Sequence, residues 1–242
     1  MEQHTDFPIS RTSSEQNDPL EDPLNLMCDS ESESCLVKGG NMTDIEFLSV
    51  HGLAVRKAAG PAAVADLLGL PEEEVTAALE AAAGKGLVAG ARGTFMVAPD
   101  GQTMLAAQYP VVFAAAREDG ALAEAYERFE KVNTGLLALF TDWQTVPTGS
   151  TRIPKDHEDK DYDNGIIDRL GDLHERAERV VGRCAEAQPR LTRYLERLES
   201  AYDRVLAGEI DWVSGVRIDS YHTVWFELHE DLLRMLGRTR QE

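Results

Sequence analysis

Two histidines and a tryptophan share one helical face near the end of the sequence. His222, Trp225 and His229 recur at steps of three and four residues, the spacing of one stripe on a helix. Imidazoles beside apolar neighbours can titrate near neutral pH, contact a ligand, or act as hydrogen-bonded core groups. A metal pair on a helix needs histidines four residues apart, but these are seven apart. The spacing favours structural histidines, with a partner- or ligand-binding patch as the alternative and no metal site.

A long segment, residues 144–164, interrupts the helical pattern with two prolines and a charged run. It predicts a loop of unusual length, and loops of that length often carry function. Arg152 and His157 are among its few basic or titratable groups. If the loop covers the final helix, a patch for a partner or ligand forms from His222, Trp225, His229, Arg152 and His157.

The acidic end of that loop invites a calcium hypothesis. Asp159, Asp161 and Asp163 alternate as in a hand-type calcium loop. The sixth position is Asn164 instead of glycine, and the twelfth is Leu170 instead of a bidentate glutamate. The run is therefore predicted to be a solvated acidic loop. The nearby His174 is predicted to lie on the surface.

The elements that precede these groups read as a winged helix-turn-helix. Pro61 and Pro71 stand where two helices begin, and Gly69 and Gly84 stand where they end. Two short strands joined by a glycine-rich turn follow, at Leu87–Ala89 and Thr94–Val97. The order of elements predicts a helix-turn-helix with a small β-wing.

The helix that would enter a DNA groove begins with Glu72, Glu73 and Glu74. A carboxylate about 4 Å from a phosphate costs about 1 kcal/mol even in bulk water. Lys85 and Arg92 are the candidate phosphate contacts, and two cations are too few for ordinary DNA affinity. DNA binding is therefore disfavoured.

The rest of the chain predicts further helices. Their expected bounds are Thr43–Ala59, Gln102–Ala116, 120–143, Ile166–Cys184, Pro189 to about Gly208, and Asp219 or Ser220 to Gly237. We therefore predict a mainly α protein, with a winged-helix domain at 43–110 and an antiparallel helical bundle at 111–242.

Residues 1–42 are rich in acids and poor in large apolar side chains, and they predict a disordered tail. The tail is either a regulatory extension or the product of a start codon assigned too far upstream, and the second is favoured. The formal net charge of −19 disfavours nucleic acid and anionic membranes as general partners. No membrane span or secretory signal is found, so a cytoplasmic protein is expected. The three cysteines are expected to be reduced thiols, although a Cys28–Cys35 bridge stays open.

Two resemblances add to these patterns. The stretch GLPEEEVTAALEAAAGKGLVAGARGTFMV resembles the winged-helix modules of MarR-type regulators, over residues 43–110. Three further phrases are HGLAVRKAAGPAAVADLLGL, RFEKVNTGLLALFTDWQTV and DSYHTVWFELHEDLLRMLGRTR. They resemble helical accessory segments or subunits that accompany phosphoenolpyruvate-utilising enzymes of the pyruvate phosphate dikinase group. That family's phosphohistidine signature TxGGxxSHxAxxAR is missing here, so none of its catalytic residues carries over.

Two functions follow as expectations. The first is a non-catalytic protein that binds a protein partner, auxiliary to a phosphoenolpyruvate-utilising phosphotransfer enzyme, with no cofactor. The alternative is a MarR-like DNA-binding regulator with a helical domain that dimerises or senses a ligand. A homodimer is compatible with both, and a catalytic role ranks third.

Overall fold

The computed structural model describes residues 44–149 and 151–240. Within these ranges the protein is mainly helical and carries two small antiparallel sheets. The predicted tail at 1–42 lies outside the described residues, as do Cys28 and Cys35. Among the described residues, no helix combines the length and the apolar character that crossing a bilayer requires.

The first elements form three helices and a three-stranded sheet. In chain order they are α1 (Asp44–Arg56), β1 (Ala58–Ala59), α2 (Pro61–Leu68), α3 (Glu72–Gly84), β2 (Val88–Ala91) and β3 (Thr94–Val97). The strand order is β1-β3-β2, with antiparallel pairing throughout. The predicted extension of the first helix to Ala59 is wrong, because Lys57 adopts a left-handed φ of 69° and Ala58 then pairs with Met96.

Local sequence sets the bounds of α2. Pro61 occupies its first turn, where a missing backbone N–H costs nothing. Gly69 ends it in the left-handed conformation, with φ 67°, which glycine adopts without a Cβ clash. These two predicted boundaries are confirmed.

Two helices follow β3, namely α4 (Pro99–Val112) and α5 (Ala114–Glu118). The predicted single helix at Gln102–Ala116 is wrong at its start and in its continuity, since α4 already begins at Pro99 and ends before α5. Pro99-Asp100-Gly101 form the first turn of α4. Gly101 is needed there because a Cβ would overlap the carbonyl oxygen of Leu87. Pro110 lies in the last turn of α4, where it removes one backbone donor.

The next two helices, α6 (Gly120–Gln144) and α7 (Lys160–Ala187), are joined by the hairpin strands β4 (Thr145–Thr148) and β5 (Thr151–Pro154). The segment 144–164, predicted to be a loop, is therefore mostly regular structure. Side-chain caps fix both helix starts, since Asp119 accepts from the first backbone amides of α6 and Asp159 from that of Tyr162. α6 and α7 pack antiparallel: Gly135 faces Leu173, and Asp142 pairs with Arg169.

The chain ends in a 3-10 turn (Pro189–Leu191) and three helices, α8 (Thr192–Leu206), α9 (Asp211–Ser214) and α10 (Tyr221–Leu236). Ser220 caps α10 at its start, and Gly237 ends it with φ 66°, as the sequence predicts. The buried apolar side chains form one continuous cluster from Phe47 in α1 to Met235 in α10. That cluster runs across the predicted boundary between residues 110 and 111.

Candidate functional site

His229 forms a hydrogen-bonded group with a carboxylate and a phenol of α6. Its Nε2 lies 3.0 Å from Glu130 Oε1 and 3.3 Å from the Tyr126 hydroxyl. The His229 side chain is 3% exposed, whereas that of Glu130 is 35% exposed, so solvent reaches the carboxylate. Burial lowers the pKa of His229 although the Glu130 charge opposes this. The neutral imidazole is the favoured form at neutral pH, donating from Nε2 to Glu130.

One turn earlier along α10, Trp225 is fully buried against α6. Its Nε1 donates to Asn133 Oδ1 over 3.0 Å, and its ring stacks on Phe129 with 4.4 Å between centroids. His222 lies 4.6 Å, ring to ring, from both Phe140 and Phe226. Burial lowers the pKa of His222. An imidazole among aromatic rings is therefore held neutral at this end of the helix pair.

The hairpin end of α6 holds another cluster. The His157 ring lies 4.5 Å from that of Trp143, and its Nδ1 is 3.2 Å from Asp163 Oδ1. Lys155 also pairs with Asp163, and its ammonium lies 3.9 Å from the centre of the Tyr162 ring. The Lys155 and Asp163 side chains are each 3% exposed. The Lys155 ammonium therefore occupies the space next to the Tyr162 and Trp143 rings.

Arg152, the remaining member of the predicted patch, is held by its own hairpin. Its Nε donates to Thr145 Oγ1 over 2.7 Å, and Nη2 donates to Asp142 Oδ1 over 2.8 Å. Asp142 also accepts from Arg169 of α7. Arg152 therefore ties β5 to the end of α6.

The predicted patch is distributed along α6. His229 meets it at Tyr126, His222 at Phe140 and His157 at Trp143. From Tyr126 to Trp143 a helix rises about 25 Å at about 1.5 Å per residue. The structure places these side chains in three separate neighbourhoods, joined by one helix.

A different charged cluster lies at the centre of the protein. Asp231 of α10 accepts from Arg190 Nη2 over 2.7 Å and from the Tyr194 hydroxyl over 2.9 Å. His51 of α1 lies with Nε2 3.0 Å from Asp231 Oδ1. The His51 and Asp231 side chains are 0% and 1% exposed. We call His51, Arg190, Tyr194 and Asp231 the central cluster.

The pKa shifts in the central cluster follow from its geometry. Burial lowers the pKa of His51, with the charge of Asp231 opposing. Burial alone would raise the pKa of Asp231, but the charge of Arg190 and the hydrogen bonds from Arg190 and His51 outweigh it and hold that pKa far below its usual value. A neutral His51 with its proton on Nε2 donates to Asp231, and its Nδ1, 3.2 Å away, accepts from the Tyr109 hydroxyl. Every polar atom of the imidazole is then satisfied.

A second network lies next to it and joins α1, α8 and α10. Arg56 Nη2 donates to Asp219 Oδ1 over 2.9 Å, and Arg197 Nη2 donates to Glu227 Oε2 over 2.7 Å. Each arginine also contacts the other's carboxylate. Arg197 is 7% exposed. In a buried ion pair each charge compensates the other. Removing one partner is therefore strongly destabilising, because it leaves an uncompensated charge in a low-dielectric environment.

Sequence reasoning missed both networks. Arg190, Tyr194 and Arg197 follow one another at steps of four and three residues, and Glu227 and Asp231 are four apart. Charged residues repeated on the stripe that also carries core leucines are the signal that could have found them. A polar side chain on a stripe of core residues is also the signal that could have found His174. Its predicted surface position is wrong: it is 7% exposed, and its Nδ1 lies 3.2 Å from the Tyr221 hydroxyl.

Two of the three alternating aspartates, Asp159 and Asp163, interact with other residues of the chain. Asp159 caps α7, and Asp163 pairs with Lys155 and His157. Within residues 44–149 and 151–240, no group of three or more His, Cys, Asp or Glu side chains is arranged to hold a metal ion.

The outer face of α3 is acidic. Glu72, Glu73, Thr76, Ala77 and Glu80 line a shallow surface depression. Their side chains point away from Val75 and Leu79, which are fully buried. The face therefore presents carboxylates to any molecule that approaches it.

The two cations predicted for DNA contact differ in their surroundings. Lys85 donates to both carboxylate oxygens of Glu46 over 2.8 Å. Arg92 is exposed in the turn between β2 and β3, with φ 53°, and has no partner among the described residues. Of these two cations, only Arg92 is free of a partner within the described part of the chain.

The chain was compared with protein-family models, curated proteins and solved structures, and none of them matched it.

Proposed function

We propose that the protein is a non-catalytic interaction protein that binds another protein through its N-terminal helices and its bundle. The observation that carries the proposal is the acidic outer face of α3. The order of α1, α2, α3 and the β2–β3 hairpin supports a winged helix-turn-helix, in which this face would meet the partner. A carboxylate-rich face repels phosphate and suits a basic protein surface.

The buried networks support the same proposal. They join α1 to α8 and α10, so the N-terminal helices are rigidly connected to the bundle. A rigid body with several exposed faces binds with little ordering cost. The resemblance to accessory segments of phosphoenolpyruvate-utilising enzymes suggests such an enzyme as the partner.

A pull-down with cross-linking from native lysate tests the proposal. We expect one protein to be recovered in near-stoichiometric amount with the full chain, and to be lost when Glu72 and Glu73 are replaced by lysine. Asp100 and Glu118 are exposed acids elsewhere, so Asp100→Lys with Glu118→Lys is the matched control. Recovery of no stoichiometric protein would count against the proposal.

The second candidate is a MarR-like regulator, and the unpaired Arg92 in the β2–β3 turn is the observation that favours it. A mobility-shift assay on the DNA upstream of its own gene, over a salt series, separates the two functions. Tight binding that weakens steeply with salt, and that Arg92→Ala reduces, would establish the regulator. We expect no such complex.

A further inference from the structure

A groove of about 540 Å³ runs between α6 and α7, and its lining shares no residue with the acidic α3 face. Five cations line it: Arg128, Lys131, Arg176, Arg179 and Arg183. Between them lie the apolar side chains of Ala125, Val132 and Val180. A smaller depression of about 280 Å³ shares Arg128 and Arg183 and lengthens the groove. In a chain with a net charge of −19, such a concentration of cations runs against the general composition.

Three of the five cations have weak partners on their own helices. Arg128 pairs with Glu124 at 2.6 Å, and Arg183 pairs with Glu186 at 2.9 Å. Arg179 lies 3.8 Å from Glu175. The side chains of all these pairs are more than half exposed. Ion pairs of that kind are worth about 0–1 kcal/mol, so an incoming carboxylate can replace them at small cost.

The other two cations, Lys131 and Arg176, have no partner in the part of the chain that the structure describes. Among the described residues, the lysines and arginines that lack an ion pair, hydrogen bond or aromatic contact are Arg92, Lys131, Arg176 and Arg217. Lys131 and Arg176 both line the groove, one from each helix. The groove therefore holds uncompensated positive charge above an apolar floor.

We infer that this groove binds an acidic amphipathic helix of a partner protein. Ala125 and Val132 are only 3% and 2% exposed, so apolar side chains of that helix would rest on Val180 and on the aliphatic stems of the rim arginines. Its carboxylates would meet the cations on the rim. This is the helix-in-groove mode of recognition. The partly exposed Val180 and the arginine stems suit a peptide segment better than a phosphate backbone, which offers no apolar face. The inference rests on the proposed function and names the partner chemistry for a second surface.

The first measurement uses a fluorescein-labelled synthetic peptide of leucine and glutamate, about four helical turns long, with leucine at helical spacing. Anisotropy with the full chain is expected to show saturable binding that weakens as NaCl is raised. Two control peptides are expected to lose binding. One has the same composition in scrambled order, and the other carries glutamine in place of glutamate.

The variant Lys131→Glu with Arg176→Glu tests the groove itself. We expect the peptide affinity to fall by about tenfold or more, because attraction becomes repulsion at two rim positions. Arg92→Glu with Arg217→Glu makes the same change in net charge at two other unpaired, exposed cations and is expected to alter affinity by less than about twofold. Equal thermal unfolding of the variants and the wild type confirms that the fold is unchanged.

The inference is overturned if the peptide does not bind, or if both double variants bind it equally. It is also overturned if sedimentation shows that the wild type is an oligomer and the groove variant is a monomer. A second copy of the chain would then occupy the groove. If the wild type and the groove variant recover the partner equally in the pull-down, the proposed function is supported and the inference about the groove is contradicted. If the peptide binds but the pull-down recovers no cellular partner, the groove is supported and the proposed function is contradicted.

Discussion

Two histidine–carboxylate pairs in this protein have the same geometry and different surroundings. His51 and Asp231, like His229 and Glu130, lie with 3.0 Å between Nε2 and a carboxylate oxygen. Burial lowers the pKa of both imidazoles. The carboxylates differ, since Asp231 is 1% exposed and Glu130 is 35% exposed. The distance alone therefore does not distinguish a core group from a surface-accessible one.

Each carboxylate has three donor residues, but the charge of those donors differs. Asp231 receives an arginine, a tyrosine and a histidine, and its enclosed charge is balanced by Arg190. Glu130 receives only uncharged donors at neutral pH, and its side chain is 35% exposed to solvent. We therefore expect the stability of the fold to depend on the charge of Asp231 much more than on that of Glu130.

The largest expected effect comes from Asp231→Asn, which keeps the shape and removes the charge. Arg190 is left buried and unpaired, so the free energy of unfolding should fall by about 3–5 kcal/mol. Urea unfolding followed by tryptophan fluorescence measures it. The double variant Arg190→Met, Asp231→Leu removes both charges and should recover part of the loss. A drop below about 1 kcal/mol for Asp231→Asn would mean that the central cluster does not hold the helices together.

Acidification should weaken the protein through His51. Its folded-state pKa lies below the unfolded value of about 6.5, so the unfolded chain binds more protons once the pH falls below that value. Stability then declines by up to about 1.4 kcal/mol per pH unit for this imidazole. His174, His222 and His229 shift in the same direction, so the informative quantity is a difference between variants. Unfolding between pH 7 and 5 should show a shallower slope for His51→Gln and an unchanged slope for Tyr109→Phe, which keeps the imidazole.

His229→Gln is expected to cost less, about 1–2 kcal/mol. The substitution removes a buried imidazole. Its partner Glu130 is partly exposed, so this carboxylate can be solvated instead of remaining buried and unpaired. Thermal or urea unfolding gives the value, and partner recovery in the pull-down gives a second readout. Lost partner binding without any change in stability would instead make His229 part of an interaction site.

Glu130→Gln is the smallest change, with an expected loss below about 1 kcal/mol. The amide still accepts from its neighbours, and its partly exposed position removes most of the cost of losing a charge. The comparison between the two pairs fails if this variant is destabilised as strongly as Asp231→Asn in the same urea titration.

Much of the secondary structure could be predicted from the sequence because its causes are local. Pro61 and Gly69 bound α2, and Ser220 and Gly237 bound α10. The errors occurred where distant contacts decide. Ala58 and Ala59 leave the helix to pair with β3, and the segment after Gln144 folds back as a hairpin. Neither event leaves a periodic signal, since each strand is four residues or shorter.

The predicted patch shows the same limit. The spacing of His222, Trp225 and His229 predicts one stripe on a helix, and in the structure this stripe contacts α6. It did not reveal that Trp225 and His229 share Phe129 whereas His222 lies further along α6, at Phe140. The stripe fixes a direction, and the partner helix decides what lies there.

The sequence by itself determined which helix faces are apolar and where α2 and α10 start and stop, because capping and periodicity act within a few residues. Only the tertiary structure decided which charges are buried together. His51 and Asp231 are 180 positions apart, and Arg56 and Asp219 are 163 apart. In the sequence a charged side chain in the core looks the same as one on the surface. Its pKa and its energetic role come from neighbours that the fold supplies.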